Sequence, residues 1–312
     1  MLQGGISKTS GHANMRPNIH HSSVSVAMNY RHHFHAGNFA DVMKHVLLLE
    51  LLSRLNKKDK PYHYIDTHAG AGMYDLSLAP AQKSGEYLDG IHRLVQIDDA
   101  AMRQAPEMIQ HYMALVEQLR VQMGRGWYPG SPWLALQEMR PTDRATAFEM
   151  QPNVYEDLDF NIRDTRIGLH KRDAYEGLFG VTPPKEKRGL VMIDPPYELE
   201  RKDFPQLVEL LAAAHKKWPT GVFAVWYPIK DREMIERFEK KMFKTGIRRQ
   251  LICELCVYPD DMPAGLNGCA LLVINPPWQF ADQADVLLQW LFPHLKMSDS
   301  GGHAAVRWLV GE

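Results

Sequence analysis

The sequence predicts an α/β fold, a mostly parallel sheet with helices on both faces. Three observations carry that prediction. Gly189-Leu190-Val191-Met192-Ile193 is a short continuous apolar run, the pattern of a central parallel strand covered on both sides. Asp194-Pro195-Pro196-Tyr197 stops it abruptly, because neither proline can donate to a ladder. Upstream, a strand over Tyr62–Asp66 runs into Thr67-His68-Ala69-Gly70-Ala71-Gly72, where two glycines let the backbone bend sharply and approach a ligand. Between these stretches, strands at 145–149 and 166–170 each deliver an acid at or beyond their end, Glu149 and Asp173. Open α/β sheets bind ligands at the carboxyl ends of their strands, so these four loops define one candidate site.

The remaining elements follow in order. Residues 1–27, rich in Gly, Ser, His and Asn, read as a disordered extension, with Met15 and Met28 as alternative starts. Asn38 is the expected N-cap, with Asp41 at N3, of a helix to about Asn56 that places Val42, Val46 and Leu49 on one side. The stretch from 73 to 140 is long for one crossover. Helical segments near 85–99 and 104–123 make it an inserted helical subdomain, about 75–130, that returns to the sheet with Ser131 in a turn. After Tyr197 come a helix near 203–217, a strand over 221–227 closed by Pro228, a helix near 231–244 and a strand over 248–257. The loop 258–268 joins that strand to 269–275 as a hairpin, so 269–275 should run antiparallel. A helix near 280–295 and a strand near 303–310 close the chain.

Composition narrows the function classes. The chain has 312 residues, 45% hydrophobic and 23% charged, with a formal net charge of −1. A nucleic-acid partner must therefore meet a local basic face. Four clusters qualify: Arg163/Arg166/Lys171/Arg172, Lys185/Lys187/Arg188, Lys240/Lys241/Lys244 and Arg248/Arg249. No apolar run approaches the ~18 residues of a membrane span, and no secretory signal is evident. Cys253, Cys256 and Cys269 read as structural thiols of a reduced, cytoplasmic protein. The histidine-rich stretch around His32, His33 and His35 lacks acid or thiol partners at ligand spacing, so no metal is expected.

An Asp-Pro-Pro-Tyr loop suits one kind of chemistry. The amino group of a purine or cytosine is a poor nucleophile, because its lone pair is delocalised into the ring. A carboxylate such as Asp194 can accept one of its hydrogens, and the Pro195 carbonyl, stiffened by Pro196, the other. Tyr197 can stack on a base that has been flipped out, a contact worth about 1–3 kcal/mol. Asn275-Pro276-Pro277-Trp278 fits the same pattern, but an antiparallel strand would leave it at the opposite end of the sheet.

The loop at 194–197 resembles motif IV of S-adenosylmethionine-dependent amino-group methyltransferases, and Gly70/Gly72 resembles motif I of the class I, Rossmann-like enzymes. Tyr30-Arg31-His32, Phe34-His35-Ala36-Gly37-Asn38, Lys44-His45, Asp66–Gly72, Tyr128-Pro129-Gly130-Ser131-Pro132 and Ile193–Tyr197 together resemble the RlmJ family of 23S ribosomal RNA adenine-N6 methyltransferases. The resemblance covers roughly Met28 to the carboxyl terminus. It implies a Rossmann-like methyltransferase domain over 28–312 with S-adenosyl-L-methionine as cofactor. Cofactor contacts are implied at His45, His68, Ser131, Glu149, Asp173 and Ala174, with Lys44 nearby. Asp194 is implied as the catalytic acceptor and Tyr30 as a substrate contact within a lid over residues 30–38. A monomer acting on naked or partly assembled RNA is implied. Three other readings stay open: a DNA adenine methyltransferase, a methyltransferase of small molecules or proteins, and a non-enzymatic DNA-binding protein serving the use of external DNA.

Overall fold

The computed structural model describes residues 34–312 except 198, 199, 261, 263 and 264, and the side chains of 200–202. Expectations for residues 1–27 and for Tyr30 lie outside the described residues.

The sheet has eight strands in the order β10-β8-β9-β7-β6-β1-β4-β5. Its parallel half comprises β1 (His63–Asp66), β4 (Arg144–Phe148), β5 (Ile167–His170), β6 (Gly189–Ile193) and β7 (Val222–Ile229). The hairpin β8 (Gln250–Cys256) and β9 (Gly268–Ile274) and the edge strand β10 (His303–Val310) complete it antiparallel. β7 continues through Pro228, opposite Cys269, where the sequence led us to end it.

Alternation along the strands separates two cores. Leu190, Met192, Ala224, Leu271 and Val273 face one side, while Val191, Ile193, Val225, Leu272 and Ile274 face the other. The second face is covered by α8 (Ala174–Val181), α9 (Glu200–Lys217) and α10 (Arg232–Lys244). The first is covered by α1 (Phe39–Asn56), α6 (Ser131–Glu138) and α11 (Phe280–Leu295). α1 begins at the expected cap, with Asp41 N donating to Asn38 Oδ1 at 2.9 Å. It is not one-sided, however: 15 of its 18 residues are buried, because α11, α6 and α5 (Glu107–Met123) pack around it.

The segment from 73 to 138 departs most from expectation. A two-stranded ribbon, β2 (Met73–Asp75) with β3 (Trp127–Pro129), closes its neck. In place of the helix expected at 85–99 there are only a 3₁₀ turn (Glu86–Asp89) and the short α3 (Ile91–Val95), preceded by α2 (Ala79–Ser84) and followed after a gap by α4 (Asp99–Met102). Gly85 turns left-handed at φ 67°. A Cβ at Gly90 would lie 2.1 Å from the Gly37 carbonyl, so only glycine permits that contact. Ser131 is in the first turn of α6 rather than in a loop, where Pro132 suits the opening of a helix.

Candidate active site

Register places the candidate residues on one edge. Asp66 sits opposite Ala147 and Met192, Phe148 opposite His170, and Ile193 opposite Val225. The carboxyl ends of β1, β4, β5 and β6 therefore converge, bringing His68, Gly70, Glu149, Asp173 and Asp194 to the same side. Asn275 follows antiparallel β9 and lies at the other edge. There its Nδ2 donates to Pro219 O and Gly221 O at 2.8 and 2.9 Å, a structural pin for the turn into β7.

Asp194 is gripped from α1. Lys44 Nζ lies 2.5 Å from Asp194 Oδ2 and 2.7 Å from Asp41 Oδ1, and its side chain is only 5% exposed. Burial opposes that charge, yet Asp194 and Asp41 outweigh it and hold the ammonium well above its ordinary pKa. Among the described residues Asp194 Oδ1 accepts no hydrogen bond. Pro195 is buried behind it and Pro196 is exposed.

Asp66, quoted in the sequence only as part of a glycine-rich turn, organises the floor. Tyr64 Oη and Ser131 Oγ each donate to its Oδ2 at 2.7 Å, and the His68 amide donates to Oδ1 at 3.3 Å. Burial raises its pKa against these bonds. An acid ending a first strand is the signal that could have singled it out. Ser131 is thus a buried partner of Asp66, and buried His45 lies 2.9 Å from the Tyr128 hydroxyl.

The half-buried His68 ring has its pKa lowered to about 4 by burial, against the pull of Asp194 and Asp173. It is therefore neutral near pH 7. Gly70 and Gly72 adopt φ 59° and 75°, and the Gly70 amide donates to Glu149 Oε2 at 3.1 Å. Glu149 Oε1 also takes the Gln151 amide, and burial raises its carboxyl pKa in spite of both bonds. Asp173 is exposed and caps α8, accepting from Tyr175 N at 2.7 Å, with Ala174 buried beneath it.

Tyr197 does not present its ring to the site. It is 4% exposed at φ 48°, packs on Phe204 and Trp226, and donates its hydroxyl to Trp226 O at 2.6 Å. Apolar surface behind the loop holds the ring, so stacking on a base requires it to leave that packing. The basic cluster at 163–172 is partly committed: Arg166 pairs with Asp164, Arg163 with Asp159 and Arg172 with Glu176.

A family model described as "Ribosomal RNA large subunit methyltransferase D, RlmJ" matches residues 59–310. The chain belongs to the RlmJ family. It is 40% identical to the ribosomal RNA large subunit methyltransferase J of Escherichia coli, over 91% of this chain and all of that one. It is 38% identical to the Haemophilus influenzae protein of the same description, again over 91% of this chain and all of the other. Among solved structures it is similar to a Legionella pneumophila protein, with a TM-score of 0.79, 31% identity and coverage of 88% and 98% of the two chains. This RlmJ-family chain is thus an S-adenosylmethionine-dependent methyltransferase, and its residues can be tested against that cofactor. Glycines 70 and 72 leave backbone where side chains would intrude. Glu149 and Asp173 supply acceptors for hydroxyl and amino donors, and neutral His68 adds no charge against a sulfonium. The residues fit.

Proposed function

We infer that the protein methylates the N6 amino group of an adenine in 23S ribosomal RNA of the large subunit. The observation that carries this reading is Asp194, fixed through one oxygen by Lys44 at the edge where the glycine loop and the strand-end acids meet. When bound, S-adenosylmethionine supplies an electrophilic methyl group. Gly70 and Gly72 would seat its methionine part, Glu149 its ribose, and Asp173 with Ala174 its adenine. Asp66 holds Ser131 and the His68 amide in place beneath it.

The substrate side belongs to the 194–197 loop. Asp194 Oδ1 is left to accept one hydrogen of the amino group, and the Pro195 carbonyl the other, so the nitrogen lone pair turns out of the ring. Lys44 keeps the carboxylate from swinging away. Positioning of this kind can supply about 7–11 kcal/mol of a barrier. After transfer the nitrogen carries an extra proton, which Asp194 is placed to receive. Lys44 also lies over the Trp226 ring, 6.0 Å from Nζ to its centroid.

We assign the reaction to the cytoplasm and to a monomer acting on naked or partly assembled RNA. Three free buried thiols accord with a reducing setting, and no described helix is long and apolar enough to cross a membrane. The test is transfer of labelled methyl to unmodified 23S RNA, followed by digestion to nucleosides. N6-methyladenosine is the expected product; label in DNA alone, or in no nucleoside, would refute the reading.

A further inference from the structure

The cluster Lys185/Lys187/Arg188 lies away from the site just described. It precedes β6, and register sets His63 of β1 opposite both Arg144 and Gly189. The loops 57–62, 140–144 and 185–188 therefore share the amino-terminal edge of the sheet, opposite Asp194. Together they carry eight Lys and Arg against three Asp and Glu, in a chain whose formal net charge is −1.

These loops are built as one surface. Arg140 donates to Lys58 O and Lys60 O at 2.9 and 3.1 Å, and Arg188 donates to Lys60 O and Leu55 O. Two guanidiniums thus converge on one carbonyl and fix the lysine loop between them. The carboxylates are largely spoken for. Asp143 is fully buried, taking Tyr62 N and Arg140, and Glu186 takes His63. Lys57, Lys58, Lys60, Lys185 and Lys187 are exposed, and among the described residues none of them forms a salt bridge. Among the described residues the Arg144 guanidinium bonds only the Pro141 and Asp143 carbonyls. Tyr62, the one aromatic residue of these loops, is buried.

We propose that this edge is a second RNA-binding surface, which holds phosphodiester backbone of a large ribosomal RNA segment while the target adenine is engaged at the opposite edge. The proposal rests on the RNA methyl-transfer reading above. Exposed ammonium groups without an exposed aromatic ring suit phosphate contacts rather than base readout. Strands of four or five residues rise about 3.3 Å each, so the two edges stand on the order of 20 Å apart with their loops. A hairpin of only a few base pairs engaged at Asp194 spans less than this distance, whereas a folded RNA domain spans it and wraps round the sheet.

The test compares wild type with Lys58→Glu/Lys60→Glu/Lys185→Glu/Lys187→Glu on two RNAs, a domain-sized 23S fragment and a minimal hairpin substrate. Thermal unfolding and S-adenosylmethionine binding serve as folding controls. The variant should bind the long fragment at least ~10-fold more weakly near 0.1 M salt. Its slope of log K against log salt should fall by about 3, the share of four phosphate contacts. Methyl transfer to the hairpin should stay unchanged. An unaltered affinity and salt slope for the long fragment overturns the proposal. Wild type that binds the long fragment through these lysines but methylates no RNA would leave this surface standing and overturn the function assigned above.

Discussion

Asp194 and Asn275 both precede Pro-Pro and an aromatic residue, yet their side chains do opposite work. Asp194 is held by a buried ammonium with one oxygen left over, whereas Asn275 spends its amide on two carbonyls of the turn before β7. Asp194→Ala should lower kcat by at least ~100-fold while cofactor affinity stays near wild type. Asn275→Ala should keep its kcat and lose about 1–2 kcal/mol of stability. Methyl-transfer kinetics with denaturant unfolding reads both, and loss of activity in the second variant alone would reverse the assignment. His68 gives a pH signature. Its folded pKa of about 4 lies below the ordinary 6.5, so the unfolded chain binds the extra proton between those values. Stability from this group is fully present above about pH 6.5 and is lost as pH falls toward 4. His68→Asn should flatten that part of a urea-midpoint profile; an unchanged slope would mean the ring titrates normally. The place of Asp194 at the end of β6 was legible because prolines mark it. The buried role of Tyr197 was not, since nothing in four residues says that Phe204 and Trp226 will pack on its ring.

The elements that were legible are those whose pattern is local. β6 is five consecutive buried residues, and α1 announces itself with an Asn cap and an Asp three residues on. Those that were missed depend on distant partners. β2 and β3 have three residues each and find one another across the intervening helices, too short for any period to show. The break of the expected 85–99 helix comes from Gly85 and from Gly90 meeting the Gly37 carbonyl, a contact between segments far apart in sequence. The glycine loop is constrained in the same way. A Cβ at Gly72 would sit 2.7 Å from Ile162 Cγ1, at a φ of 75°. Gly72→Val should therefore destabilise the protein by about 2–3 kcal/mol and weaken S-adenosylmethionine binding with it. Calorimetric titration and a melting curve check this; wild-type values in both would show that the loop relaxes freely.

At the scale of the molecule, two layers of helix sandwich a sheet that is parallel around the candidate site and antiparallel at its far side. The parallel half was readable from apolar runs ending in acids, and the antiparallel half from the hairpin at 258–268. The inserted segment's neck and its breaks were not, because they are set by packing. That arrangement has a consequence for synthesis. α1 is made early and is buried nearly all round, yet α11, one of the helices that cover it, is made near the end. Until residues 280–295 leave the ribosome, a helix carrying Val42, Val46, Leu49 and Leu52 lacks part of its cover. The nascent chain should therefore be a client for holding chaperones, and a chain stopped at residue 279 should accumulate in the insoluble fraction even though every proposed catalytic and cofactor residue is present. Soluble expression of that shortened chain, with a cooperative melt, would show that α1 is sheltered without α11.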